Sequence, residues 1–135
     1  MSHDLVILDT NFLIDYLAGI KSARLKLIEL YISIKHLATT VINVSELYRG
    51  LKRRKWGEKR IKQLEGILEN LTVVVYEKQT AKHIGELLAE LDDRGDPIGF
   101  EDAAIAGMCI EKNAPLVTRN VKHFSKVPEC KVISY

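Results

Sequence analysis

Cysteine is scarce in this chain: Cys109 and Cys130 are the only two in 135 residues, and they form no C-x-x-C pair. Both read as small core residues of a protein kept in a reducing compartment. No apolar stretch is long enough to span a bilayer, and Asp4 stands before only a short apolar run. Neither a membrane span nor a secretory leader is therefore expected, which implies a cytoplasmic protein. The phosphate-cradling patterns G-x-x-x-x-G-K and G-x-G-x-x-G are missing, so nucleoside-triphosphate and dinucleotide binding are disfavoured. A nucleophile elbow and a catalytic cysteine are missing too. Charge of one sign is not in excess, because 20 Lys and Arg against 18 Asp and Glu leave only +2. That balance does not by itself argue for a nucleic-acid partner. No linker, repeat or low-complexity segment interrupts residues 1–135, and the length suits one domain with a sizeable core.

What is present is an alternation of strand and helix signals. Leu5-Val6-Ile7-Leu8 is apolar at every position and ends abruptly at Asp9. A run apolar on both faces suits a central strand of a parallel sheet covered above and below by helices. Further strands are expected at 36–40, 71–76, 115–118 and 131–134, the third being rich in β-branched residues. Helical spacing of apolar residues predicts helices at 11–18, 24–34, 43–55, 58–70, 80–91 and from Phe100 or Glu101 to Lys112, with a polar turn at 92–97. Five strands with intervening helices predict an α/β fold with a mostly parallel sheet.

Three carboxylates stand where such a sheet would concentrate them. Asp9 follows the first strand, Glu46 lies in the first turns of the helix after the second, and Asp102 opens the helix after the polar turn. Each has a local explanation. Asp9 can cap the next helix, Glu46 can complete a capping box opened by Asn43, and Asp102 can complement a helix N-terminus. Taken together they point elsewhere. In open α/β sheets the functional crevice lies beyond the carboxyl ends of the strands, which is where all three would meet. Carboxylates crowded together raise one another's pKa unless a cation sits among them, and Mg²⁺ or Mn²⁺ suits such oxygens. An ion held there can activate water for in-line attack on a phosphodiester, with no histidine base or covalent nucleophile.

The stretches Leu8-Asp9-Thr10-Asn11, Ser45-Glu46-Leu47 with Gly50, Asp102-Ala103-Ala104-Ile105-Ala106, and Val117-Thr118-Arg119-Asn120 through Phe124 resemble, in order and spacing, the PIN domain family. Within it they are most similar to the toxin branch, the VapC ribonucleases. The resemblance implies a three-layer α/β/α sandwich and a Mg²⁺- or Mn²⁺-dependent endoribonuclease with Asp9, Glu46 and Asp102 as metal-binding acids. It also implies RNA as substrate, a homodimer, and a small antitoxin protein that holds the toxin inactive. Many members carry a fourth acid at the position of Asn120 or of His123, and this chain has an amide and an imidazole there. Asn120 can still position a water through its carbonyl oxygen, with Thr118 and Asn11 in support, or it can serve as a turn residue before the last helix. His123 reads as a surface or packing histidine facing Phe124.

A basic segment runs from Arg49 to Lys62 with Trp56 among the charges. It reads either as a solvated helix face or as a track that draws a phosphate backbone toward the acids. Arg49, one turn from Glu46, and Arg119, beside Asn120, are the preferred RNA contacts. Trp56 reads as packing or as a base-stacking platform. The apolar positions of 24–34 and 58–70 are candidates for a dimer face. A dehalogenase-type phosphatase would need a second Asp where Asn11 stands, and a receiver module would need an acidic pair and a late lysine that are missing. The remaining alternatives are a PIN-like binding or dimerisation module with weak or no catalysis, and an RNA-processing nuclease without an antitoxin.

Overall fold

The computed structural model describes residues 4–33 and 36–135. Its five strands are β1 (Leu5–Leu8), β2 (His36–Thr40), β3 (Thr72–Val74), β4 (Leu116–Val117) and β5 (Val132–Ile133). They lie in the order β3-β2-β1-β4-β5, and every adjacent pair is parallel. The sheet expected to be mostly parallel is thus parallel throughout. β1 is central for a side-chain reason. Val6 and Leu8 point into one apolar core and Ile7 into the other, and all three are essentially inaccessible to solvent.

Seven helices cover the sheet: α1 (Thr10–Leu17), α2 (Lys21–Ser33), α3 (Val41–Arg54), α4 (Glu58–Glu69), α5 (Lys78–Asp93), α6 (Phe100–Glu111) and α7 (Val121–Phe124). Phe12, Leu13, Leu17, Leu30, Leu47, Leu51 and Leu64 put α1 to α4 on one face. Leu91, Ile105, Met108 and Phe124 put α5 to α7 on the other, which completes the three-layer α/β/α sandwich. From Ala103 to Cys109, α6 is buried at every position. A helix apolar all round belongs in an interior, and here it lies between the sheet and α5. Cys109 and Cys130 are both free and buried, as expected of core residues. No described helix is long and apolar enough to cross a membrane.

Several boundaries differ from the sequence expectation. α3 starts at Val41, because the Thr40 hydroxyl accepts from the Asn43 amide and caps the helix at the strand exit. Asn43 is thus the third helical residue and not the cap, and Glu46 lies outside the capping box. α2 begins at Lys21, one residue beyond Gly19, which turns the chain at φ 81°. Its expected end at residue 34 lies outside the described residues. β3 pairs over only three residues, since its partner β2 ends at Thr40, opposite Val74. Val73 on this edge strand and Val75 just after it are left exposed. α5 runs on through Asp93, so the polar turn is confined to the residues around Gly95 at φ 68°.

The α5–α6 contact leaves no room at Gly107, where an added Cβ would lie 2.9 Å from Cγ1 of the fully buried Ile84. Gly107→Val is therefore expected to lower stability by roughly 2 kcal/mol or more, outweighing the gain in helix propensity over glycine. Urea denaturation measures this, and an unchanged midpoint would refute the close packing.

Candidate active site

Because all strands run the same way, their carboxyl ends share one edge, and the chain leaves β1, β2 and β4 there. Asp9 is the residue after β1 and the N-cap of α1. Glu46 sits in the second turn of α3, Asp102 in the first turn of α6, and Asn120 just beyond β4 at the cap of α7. All four line one open cleft of about 650 Å³, together with Asn11, Arg49 and Arg119. The three acids named from the sequence are thus brought together, and the amide at 120 joins them.

Asp9 and Glu46 are held by hydroxyls and amides and not by cations. Asp9 is 4% exposed. Its Oδ1 accepts from the Thr10 backbone N–H at 2.9 Å and from Asn43 Nδ2 at 3.0 Å, and its Oδ2 accepts from Thr118 Oγ1 at 2.7 Å. Thr10 Oγ1 accepts from Asn43 Nδ2 at 2.9 Å and donates to Glu46 Oε1 at 2.6 Å. A continuous chain of hydrogen bonds therefore ties the second acid to the first. Asp102 Oδ2 lies 2.7 Å from His123 Nε2.

Burial raises the pKa of Asp9 against its three hydrogen bonds, and the nearby charge of Asp102 raises it further. Burial also raises Glu46, to about 7, reinforced by a hydrogen bond with Glu101 and by the charges of Asp9 and Glu101. Glu101 moves the other way, lowered by that same bond with Glu46 and by Arg49. These shifts record negative charges pressed together in a partly dry cleft. Among the described residues no three His, Cys, Asp or Glu side chains form a finished ligand cage. Mg²⁺ does not require one, since it keeps several waters and takes one or two carboxylates. An all-oxygen donor set whose members repel one another fits a hard divalent cation, which would relieve that repulsion.

The remaining residues named from the sequence occupy specific places. Asn11 and Thr118 are supports: Asn11 Oδ1 accepts from the Arg119 backbone, and Thr118, fully buried, spends its hydroxyl on Asp9. Thr118 therefore orients an acid and does not reach into the cleft. Arg49 and Arg119 line the cleft, each engaged by a carboxylate. Arg49 makes two 3.2 Å bonds to Glu101, and Arg119 Nη1 lies 2.9 Å from Asp15. Trp56 is a packing residue, half-buried with Arg60 stacked 5.0 Å above its ring. His123 does meet Phe124 edge-on, as its sequence position suggested, but its outer nitrogen also braces Asp102.

Four participants escaped the sequence reading. Thr10 and Asn43 join Asp9 to Glu46, Glu101 adds a carboxylate beside Glu46, and Asp15 holds Arg119. Glu101 carried a signal, standing directly before Asp102. Asn43 carried the opposite one, because its capping pattern explained it locally.

Comparisons with known proteins point to one family. The profile of the PIN domain matches residues 6–129. Ribonuclease VapC2 of Rickettsia felis is 31% identical over 121 residues, 90% of each chain. The tRNA(fMet)-specific endonuclease VapC of Salmonella typhimurium is 29% identical over 101 residues, 75% of this chain and 76% of its own. Among solved structures, VapBC2 of Rickettsia felis bound to a DNA fragment from its promoter superposes with a TM-score of 0.87 at 28% identity, covering 97% of this chain and 98% of the other. DNA-bound VapBC of Salmonella typhimurium gives 0.84 at 27% identity, covering 99% and 98%.

The bridge through Asn43 has a measurable consequence. Asn43→Ala removes a helix-cap partner and leaves the Asp9 Oδ1 and Thr40 groups short of a partner in a buried site. A loss of roughly 2–3 kcal/mol is expected by thermal or urea unfolding. A loss below about 0.5 kcal/mol, the level of an ordinary surface change, would show that this network does not hold the strand exit together.

Proposed function

Because the chain belongs to the PIN-domain family, we propose that it is a divalent-metal-dependent endoribonuclease of the VapC type, the toxin of a toxin–antitoxin pair. One observation carries the chemistry: Asp9, Glu46 and Asp102, far apart in sequence, line a single open cleft at the carboxyl edge of the sheet. These three would hold Mg²⁺ or Mn²⁺. Such an ion supplies Lewis-acid stabilisation of phosphoryl oxygens and lowers the pKa of water at the site.

The protein's own groups do the rest. Asn43 and Thr118 fix the two oxygens of Asp9, so that it presents one orientation to the cleft. Thr10 sets Glu46 at a defined distance from it, and His123 holds one oxygen of Asp102 and leaves the other available. Asn120 offers an amide at the lip, able to accept from water or to donate to a phosphate oxygen. Arg49, Arg53, Arg54 and Arg119 surround acids that would otherwise repel an RNA backbone. An arriving phosphate would compete with Glu101 for Arg49 and with Asp15 for Arg119. Glu101, on α6, adds a further carboxylate beside Glu46.

Two features support a protein partner. On α2, Leu25, Ile28, Tyr31 and Ile32 are 56%, 58%, 61% and 82% exposed, an apolar face unusual for a solitary soluble chain. Beside it a groove of about 410 Å³ runs between α2 and α4, lined by Leu13, Leu17, Leu27 and Ile67. Solved relatives named VapBC are toxin–antitoxin assemblies, and an antitoxin is the partner this face suits. A homodimer and a cytoplasmic location belong to the same reading.

Purified protein is expected to cut single-stranded RNA with added Mg²⁺ or Mn²⁺ and to stop when a chelator is added. Asp9→Asn should lower the rate roughly a hundred-fold or more while circular dichroism stays unchanged, since the amide keeps the shape and removes the charge. Equal cutting by both forms would trace the activity to a contaminating nuclease and remove the assignment.

A further inference from the structure

A second hollow, about 410 Å³, opens beyond the acid cleft and is lined by Arg119, Asn120, Lys122, His123 and Lys126. Arg119 and Asn120 line both hollows, so the two adjoin, and together they are the trough along which a strand could lie. Their linings differ in sign. Asp9, Asp15, Glu46 and Asp102 line the first, and no carboxylate lines the second. They nevertheless abut, because His123 faces the second hollow and its Nε2 lies 2.7 Å from Asp102. Lys122 is exposed and enters no ion pair among the described residues. Lys126 has only a loose 3.7 Å contact with Asp96. With Arg49, Arg53 and Arg54 at the opposite lip, basic side chains stand on both sides of the acids.

We propose that the α7 hollow is a phosphate subsite that takes the RNA strand immediately beyond the bond to be cut, while the α3 arginines take the strand on the other side. The proposal rests on the nuclease reading and adds to it the path of the substrate. A strand that places one phosphodiester at the acids must carry its next charges outward along the trough. Lys122 and Lys126, on flexible stems beyond Arg119 and its Asp15 partner, are placed to neutralise them. An acidic peptide could meet the same lysines, and Asp9, Glu46 and Asp102 would repel it as they would repel an RNA backbone. What favours a nucleic-acid strand is the nuclease reading itself, in which a phosphodiester has to reach those acids.

The test is the salt dependence of binding of a fluorescent single-stranded oligoribonucleotide, measured by anisotropy in chelator so that nothing is cut. For single strands each phosphate contact contributes about 0.7 to the slope of log affinity against log salt. Lys122→Gln with Lys126→Gln should lower that slope by about 1.4. With Mg²⁺ present, the same pair should raise KM roughly ten-fold and leave kcat within about two-fold. Lys82→Gln with Lys112→Gln removes the same charge from residues that line neither hollow, and should leave the slope unchanged. An unchanged slope in the first pair, or an equal fall in the control pair, overturns the subsite. So does polyglutamate binding that falls in the first pair while RNA binding does not. If the unaltered protein cuts no RNA yet the slope still falls in the first pair alone, the nuclease reading fails and the strand-binding subsite stands. If RNA is cut and the slope does not move, the subsite alone fails.

Discussion

The carboxylate of Asp9, held at the exit of the central strand, is the constraint on which the rest of the site depends. A buried negative charge is tolerated only when its oxygens are supplied with donors. Here those donors come from three different parts of the chain: the backbone of Thr10, the amide of Asn43 on α3, and the hydroxyl of Thr118 after β4. The same bonds that solvate the charge also lock the exits of β2 and β4 against that of β1. Fold and site are therefore one structure at this edge, and the parallel order β3-β2-β1-β4-β5 is what brings the three exits side by side.

From that anchor the arrangement spreads outward in steps. Asn43, fully buried, belongs to the cap of α3 and to the Asp9 network at once. It couples the start of a helix to the position of a carboxylate. Thr10 relays the coupling to Glu46, whose pKa near 7 reflects burial and the crowding of Glu101 and Asp9. Such crowding opposes folding of the protein alone and favours binding of a cation, a stability cost of the kind concentrated at functional sites. The arginines at the rim face the converse problem. Glu101 and Asp15 hold Arg49 and Arg119 in place and lower their effective charge until a phosphate competes for them.

Much of this was legible in the residues. The four apolar positions before Asp9 announced a central strand because only a strand covered on both faces can bury all of them. The three acids could be grouped because each follows a strand exit or opens a helix, and parallel order sends those positions to one edge. What escaped depended on side chains whose local roles already explained them. Asn43 looked like a cap and Thr10 like a helix-start residue, and only the register of β1 against β2 turns them toward each other. Glu101 was hidden by standing beside a better candidate, and His123 by packing on Phe124 while its other nitrogen reached Asp102. The end of β3 was overestimated because β-propensity continues to Tyr76 while the partner strand stops at Thr40.

The central claim is that residues 9, 46 and 102 form one cation-binding pocket. Crystals of the protein soaked in MnCl₂, with data collected at an energy that brings out the manganese anomalous signal, test it without reference to any substrate. A strong anomalous peak in contact with Asp9 and with Glu46 or Asp102, lost in crystals of Asp9→Asn, is the expected result. A peak elsewhere, or an undisturbed acid cleft at saturating Mn²⁺, would contradict it.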